Sequence, residues 1–462
     1  MRHMATSRSI ALSAMVVTLL TPGIAQARPP APALDWGDCA KPDPAVQCAD
    51  LRLPVDRSKP DGATFELAVA RRPARVPAER VGTLIFGPGG PGDSGVSRVL
   101  AGNRFSDEQL DRFDIVSFDP RTVGASDAPT CAPEPDRPPV ILRDQADFDA
   151  TVAHNRAFWE RCRASSAVFD HADTKNTVYD LEALRRALGE PALTFHGSSY
   201  GTLLGQQYAE RFPGRVRAIV LESVFDHGLD LSTFVRTQAI ALQDSFDEFV
   251  AWCDRTGPCP QDVRATWAEV LARADRGDYA PYTAFDVAAL PLGTLQKPDW
   301  PALAGAITGL VAGRTDVLRP LPPLAAGVVC ADFPVPVRDF QAYRKLLRVA
   351  RLAGPDIRYG AGLLAISTCL GWPQPVANPP HRLRVHTETP LLLLNARHDP
   401  RTGHEWAAHV AARLGRHGRL VTYEGWGHGV YRTTDCTTAV VDRYLIDLAL
   451  PPHGHTCPAP LR

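Results

Sequence analysis

A layered α/β protein with a mainly parallel eight-stranded sheet and an inserted helical domain follows from three features of the 462-residue sequence. Short apolar runs alternate with amphipathic helical stretches from residue 50 to about 225. The same alternation resumes at residue 391. Between the two lies a long span that is helical in pattern throughout. Short continuous apolar segments are how strands buried on both faces read, and their alternation with helices implies parallel strands sheathed by helices.

In order, the β-like runs are Asp50–Val55, Thr64–Arg72, Gly82–Phe86, Asp114–Phe118, Leu193–His196, Ala218–Glu222, Leu391–Asn395 and Leu420–Glu424. Helical periodicity joins them at Thr177–Leu188 and Thr202–Phe212. The interrupting span holds helical runs at Ser232–Cys253, Pro260–Ala274, Trp300–Ala312 and Phe340–Leu352, separated by Pro-rich connectors. The expected organisation is a leader (1–27), the first part of a catalytic core (28–228), a helical cap (229–383) and the rest of the core (384–462).

The leader has a secretory pattern. Arg2 and Arg8 are basic, Ile10 to Leu20 is apolar but too short to span a bilayer stably, and Ala25-Gln26-Ala27 offers a small-x-small cleavage site. Cleavage after Ala27 is expected to release an exported protein, beginning in a loose Pro/Ala-rich stretch at 28–34. An uncleaved membrane anchor is the competing reading. Export makes the ten cysteines disulfide candidates. Order along the chain suggests Cys39–Cys48, Cys131–Cys162, Cys253–Cys259, Cys330–Cys369 and Cys436–Cys457. No CxxC pair occurs and the cysteines are not grouped with His at zinc spacing, so neither metal nor cofactor is expected.

Composition narrows the partners. With 45% apolar and 22% charged residues the chain is neither disordered nor fibrous. Fifty basic against 51 acidic residues leave a net charge of −1, which provides no general field for nucleic acid or an anionic membrane. A small-molecule or peptide substrate is expected; the oligomeric state is left open.

The most informative segment is Gly197-Ser198-Ser199-Tyr200-Gly201, between a strand and a helix. A turn so tight needs small flanking residues, and it lifts the central hydroxyl above the sheet as a nucleophile. Ser199 has Gly at both −2 and +2; its neighbour Ser198 does not. A serine hydroxyl needs a base, usually His, oriented by a carboxylate. Asp399, just past the strand at 391–395, and His428, just past the strand at 420–424, occupy loops at strand C-terminal ends, where open α/β sheets carry their sites. The order Ser, Asp, His fits the α/β-hydrolase arrangement. His398 and Asp435 are the nearest alternatives; Asp435 lies beyond the histidine. Gly87-Pro88-Gly89-Gly90-Pro91-Gly92 follows the strand at 82–86 and suits an oxyanion loop, with Gly90 N–H (or Gly89) and Tyr200 N–H as donors. A phosphate loop is disfavoured because no G-K-[ST] follows.

These residues carry a resemblance to the secreted tripeptidyl-aminopeptidase-like α/β hydrolases, relatives of the prolyl aminopeptidases. The segments are WGDC, GPGGPGDSG, FDPRTVGASD, GSSYGTLLGQQYAERFP, LLLLNARHDPRTGHEWA and EGWGHGVY, with the closing stretch from Tyr444 to Cys457. The resemblance implies an α/β-hydrolase fold, the triad Ser199, Asp399 and His428, and a helical cap over the site. It departs at three places: Gly87 stands where the family usually has Asn, Thr122 where it has Gly, and His227 where it has Pro.

The expected function is a secreted serine hydrolase that cuts an amide through an acyl-enzyme, as an exo-peptidase of tripeptidyl or prolyl aminopeptidase type. The alternative is an amidase or esterase acting on a small acylated metabolite. A catalytically inactive binding protein on the same fold is the remote alternative. An aminopeptidase must hold a free α-amine, so Glu222, Asp226 and His227, with the cap acids Asp244, Asp247 and Glu248, are the candidate substrate-binding residues.

Overall fold

The computed structural model describes Met1 and residues 34–40, 43–131, 138–256 and 259–460. The expected leader and its cleavage site lie outside the described residues. Among the described residues ten strands form one sheet. They are β1 (Gly37–Asp38), β2 (Gln47–Pro54), β3 (Thr64–Arg72), β4 (Gly82–Gly87), β5 (Phe113–Phe118), β6 (Leu193–Ser198), β7 (Val216–Glu222), β8 (Leu391–His398), β9 (Gly418–Trp426) and β10 (Thr456–Cys457). Their spatial order is β1-β2-β3-β5-β4-β6-β7-β8-β9-β10. Pairing is antiparallel from β1 to β5 and parallel from β5 to β10. The expected count of eight is exceeded by the two edge strands β1 and β10. Each is two residues long, too short to carry a readable period, and each lies beside a disulfide, Cys39–Cys48 or Cys436–Cys457.

The run Leu391-Leu392-Leu393-Leu394 shows why β8 is central. All four side chains are fully buried. Side chains alternate across a strand, so Leu391 and Leu393 join Phe195, Ile219 and Leu221 on one face. Leu392 and Leu394 join Leu84, Phe86 and Val220 on the other. Burying each leucine stabilises the fold by roughly 2 kcal/mol. An apolar run without alternation is therefore the signature of two covered faces.

Between β7 and β8 the described residues form eight helices: Leu231–Thr256, Val263–Asp275, Ala284–Ala288, Leu290–Leu295, Trp300–Val311, Ala326–Asp332, Phe340–Ala353 and Gly362–Cys369. They enclose a core of their own around Phe246, Trp267, Trp300 and Tyr343. The helix Gln145–Ser165, from the first half of the chain, joins them. Its Asn155 side chain donates to the carbonyls of Ser367 and Leu370, at 2.8 and 2.9 Å. The five disulfides are the five neighbouring pairs read from the sequence. Among the described residues no helix is long and apolar enough to cross a membrane.

Two of the departures from the family pattern acquire a local setting. Thr122 sits at φ 68°, the left-handed region that favours the glycine usual at that place. Its neighbour Arg121, fully buried, is held by both oxygens of Asp180 at 2.6 and 3.0 Å. At Gly87 a Cβ would come within 2.3 Å of the Phe195 ring, so the ring fills the space a side chain there would need.

Candidate active site

The strand β6 ends at Ser198 and the helix Gly201–Arg211 begins three residues later. Ser199, between them, adopts φ 56°, a left-handed conformation costing about 1–2 kcal/mol for a non-glycine residue. Close packing holds it there. A Cβ on Gly197 would lie 2.4 Å from the Gly201 carbonyl oxygen, and one on Gly201 only 2.2 Å from that of Gly87. The two flanking glycines thus let three backbone segments meet. The Ser199 N–H donates to the Glu222 carbonyl at 2.9 Å, tying the turn to the end of β7.

The glycine-rich loop after β4 runs against this turn. A Cβ on Gly89 would sit 3.1 Å from Ser199 Cβ and 3.7 Å from its hydroxyl oxygen. Gly90 has φ 105° and precedes a cis Pro91; a Cβ there would strike the backbone nitrogen of Gly92 at 2.7 Å. Gly90, Pro91, Ser199 and Tyr200 line one cavity of about 480 Å³. Tyr200 stands immediately before the helix, whose N-terminal end favours developing negative charge.

The candidate acid and base come from the loops after the next two strands. Asp399 follows directly on β8, and His428 lies two residues past β9. His428 Nδ1–H reaches both Asp399 carboxylate oxygens at 3.0 Å. Asp399 is almost fully buried, and it also accepts the N–H groups of Arg401 and Thr402, at 2.9 and 3.0 Å. With Nδ1 donating, Nε2 is the basic nitrogen of the neutral ring. Thr402, which the sequence reading passed over, bridges the pair: its hydroxyl lies 3.1 Å from Asp399 Oδ2 and 3.3 Å from His428 Nδ1. The short spacing Asp-Pro-x-Thr is its local signal, since an Asp side chain readily caps the backbone two residues on. Among the described residues the Ser199 hydroxyl and His428 are not hydrogen-bonded; such contacts commonly close only around substrate.

The candidate substrate-binding residues Glu222, Asp226 and His227 lie outside the cavity that Ser199 lines. Glu222 is fully buried beneath the histidine loop. It pairs with Arg104, contacts His196 at 3.0 Å and accepts the Tyr431 N–H at 2.6 Å. Burial opposes its charge, but Arg104 and His196 hold its carboxyl down at about 2. Asp226 is buried against His409. His227 donates from Nε2 to the Asp332 carbonyl at 2.9 Å, and burial holds its pKa down to about 4. None of the three lines the cavity with Ser199. The physical reason is that the chain turns inward after β7, so these polar groups serve packing. The acids of the first inserted helix are likewise engaged: Asp244 with His398, Asp247 with Arg264 and Glu248 with the Trp426 indole.

The inserted helices instead reach the site through two contacts invisible in the sequence. The His428 N–H donates to the Gln296 carbonyl at 2.9 Å. The Tyr200 hydroxyl donates to Asp332, a fully buried carboxylate that also accepts the Thr174 N–H at 3.0 Å and the Asn378 amide at 2.9 Å. Burial pushes the Asp332 carboxyl up to about 7, against the pull of these hydrogen bonds. The cavity wall is mostly apolar, with Phe225, Phe234, Val329, Phe333 and Ile366 among its residues.

Comparison with known proteins agrees with this architecture. Residues 82–276 match the α/β hydrolase fold family and residues 358–457 match the TAP-like protein family. The chain is 31% identical over 476 residues to serine protease Hip1 of Mycobacterium tuberculosis, covering 92% of this chain and 91% of that protein. It is 29% identical to tripeptidyl aminopeptidase of Streptomyces coelicolor, covering 94% and 87%. It is also 29% identical to carboxylesterase B of Mycobacterium tuberculosis, covering 92% and 90%.

Proposed function

The chain belongs to the TAP-like α/β hydrolases and is a serine hydrolase, and on that premise we propose that it cuts amide bonds of short, apolar peptides through an acyl-enzyme on Ser199. The observation that carries the proposal is the oriented pair His428–Asp399 beside an elbow serine in the left-handed conformation. Ser199 attacks the carbonyl while His428 takes its proton. Asp399 fixes the imidazole tautomer and stabilises the imidazolium. The N–H groups of Gly90 and Tyr200 receive the oxyanion, His428 returns the proton to the leaving amine, and water releases the acyl group. In this proposal the helical span 229–383 acts as the cap that supplies the walls of the acyl pocket.

An exo-peptidase acting from the amino terminus needs an acid for the free amine. The carboxylate that lines the cavity is Asp230, and it is the group such a substrate would meet. A second reading, an amidase or esterase on a small acylated molecule, is favoured by a specific observation. Asp230 is exposed and already accepts from Ser232 N, Thr233 N and the Thr233 hydroxyl. We also propose that the enzyme is exported after cleavage near Ala27, a reading supported by the five disulfides.

Tripeptide anilides, single-residue anilides, N-acetylated peptides and short esters, offered in parallel, test the choice. Turnover of free-amine peptides with poor turnover of their N-acetyl forms supports the exo-peptidase. The reverse pattern sinks it and leaves the amidase or esterase.

A further inference from the structure

We propose that Arg401 is an anion-recognising residue of the cavity and that the preferred substrate carries a carboxylate close to the bond that is cut. This inference rests on the assignment of Ser199 as nucleophile. Arg401 lines the same cavity as Ser199 and Tyr200. Its place is fixed by the loop: its own N–H donates to Asp399 at 2.9 Å, two residues from the triad acid. Its side chain is largely covered, and its Nε is buried without a hydrogen-bond partner.

Three other covered arginines have an acid beside them. Arg104, Arg121 and Arg185 each hold a carboxylate, Glu222, Asp180 and Glu182 respectively. Among the described residues Arg401 holds none. Burial lowers its pKa, and only the more distant charges of Asp399 and Asp93 oppose that. A guanidinium remains protonated even so, and a covered, unpaired charge is costly unless something completes it. Among the described residues the acid on the cavity wall is Asp230, and it is already engaged in capping its helix. A substrate carboxylate would supply the missing acceptors in the paired geometry a guanidinium favours. The rest of the wall is suited to an apolar group.

Two sources of that carboxylate are chemically equivalent at Arg401: an acidic group on the acyl part, or the free C-terminus of a short leaving peptide. Two matched pairs separate them. The first is the nitrophenyl monoester of glutaric acid against nitrophenyl pentanoate. The second is a short apolar peptide with a free carboxy terminus against its C-terminal amide.

Wild type, Arg401→Met and Arg401→Lys are compared by kcat/KM ratio within each pair, with fluorophosphonate labelling as a separate readout of the nucleophile. The expected result is a preference of about tenfold or more for the carboxylate in one pair. It should fall below about threefold in Arg401→Met and remain intermediate in Arg401→Lys. Labelled wild type with no carboxylate preference in either pair overturns the inference and leaves the hydrolase assignment standing. So does a preference that persists in Arg401→Met. Folded wild type that takes no label overturns the Ser199 assignment itself. If the methionine variant does not fold, the lysine variant decides: an undiminished ratio is a refutation.

Discussion

The C-terminal edge of the sheet and the inserted helices contribute to the site in opposite ways. The sheet presents Ser199, Asp399 and His428 on three loops, each a residue or two past the end of a strand, and the packing there is backbone on backbone. The inserted helices present apolar walls and two hydrogen bonds, Gln296 to His428 and Asp332 to Tyr200. The contrast extends to two buried carboxylates. Glu222, at the end of β7, faces the Arg104 guanidinium and the His196 ring, which hold its carboxyl down at about 2 against the pull of burial. Asp332, in the helix Ala326–Asp332, has neutral hydrogen-bonding partners, and burial pushes its carboxyl up to about 7. In the proposed mechanism chemistry rests on the sheet and recognition on the insertion, and each half can be disturbed separately.

The largest effects should come from the sheet. Ser199→Ala is expected to lower kcat/KM by roughly 10⁴–10⁶-fold and to abolish fluorophosphonate labelling, with the melting temperature almost unchanged. Asp399→Asn should cost about 10⁴-fold by admitting the wrong imidazole tautomer. Retained activity in either variant would move the chemistry away from these three loops.

A smaller loss is expected at Thr402. Thr402→Val keeps the shape but removes the hydroxyl that meets both Asp399 and His428, so kcat should fall about 10–100-fold with KM little changed. An unchanged kcat would show that the two backbone N–H bonds to Asp399 suffice to hold it.

Breaking the insertion should spare the chemistry. The disulfide Cys330–Cys369 joins two helices that border the cavity, across 39 residues. Replacing both cysteines by alanine should destabilise by about 3–4 kcal/mol, seen in urea unfolding. Substrate KM should rise while labelling of Ser199 persists. Loss of labelling in folded protein would mean that the insertion also holds the sheet's catalytic loops.

The subtlest test is pH. Asp332 has a raised folded pKa, so its contribution to stability is complete below its ordinary value of 3.8 and is lost as pH rises through about 7. Glu222 has a lowered folded pKa, so its contribution is present above 4.5 and is lost as pH falls through about 2. The difference in unfolding free energy between wild type and Asp332→Asn should therefore shrink from pH 4 to pH 8. That for Glu222→Gln should stay constant from about pH 6 to pH 8 and shrink only in acid, as pH falls below its ordinary value of 4.5. A difference independent of pH at Asp332 would place its proton affinity near the ordinary value.

Legibility in the sequence follows the same division. The strand positions were readable because covered faces leave continuous apolar runs, and the elbow because its neighbours must lack side chains. Thr402 was missed although its signal is local. Glu222, Asp226 and His227 do not line the cavity with Ser199: the sequence places them next to the site along the chain but says nothing of the direction in which they point. Four short helices of the insertion, among them Ala326–Asp332, are too brief to show a period.

What the amino-acid order determines by itself is the candidate reacting centre, because a turn, a strand end and a capped loop are set by residues within a few positions of one another. What only the tertiary structure decides is which charges are already paired and which remain for a ligand. Arg104 meets Glu222 across 118 residues, and Asp332 meets Tyr200 across 132. Arg401 stands without such a partner among the described residues. Pairings of that kind depend on how helices stack over a sheet, and no local pattern encodes them.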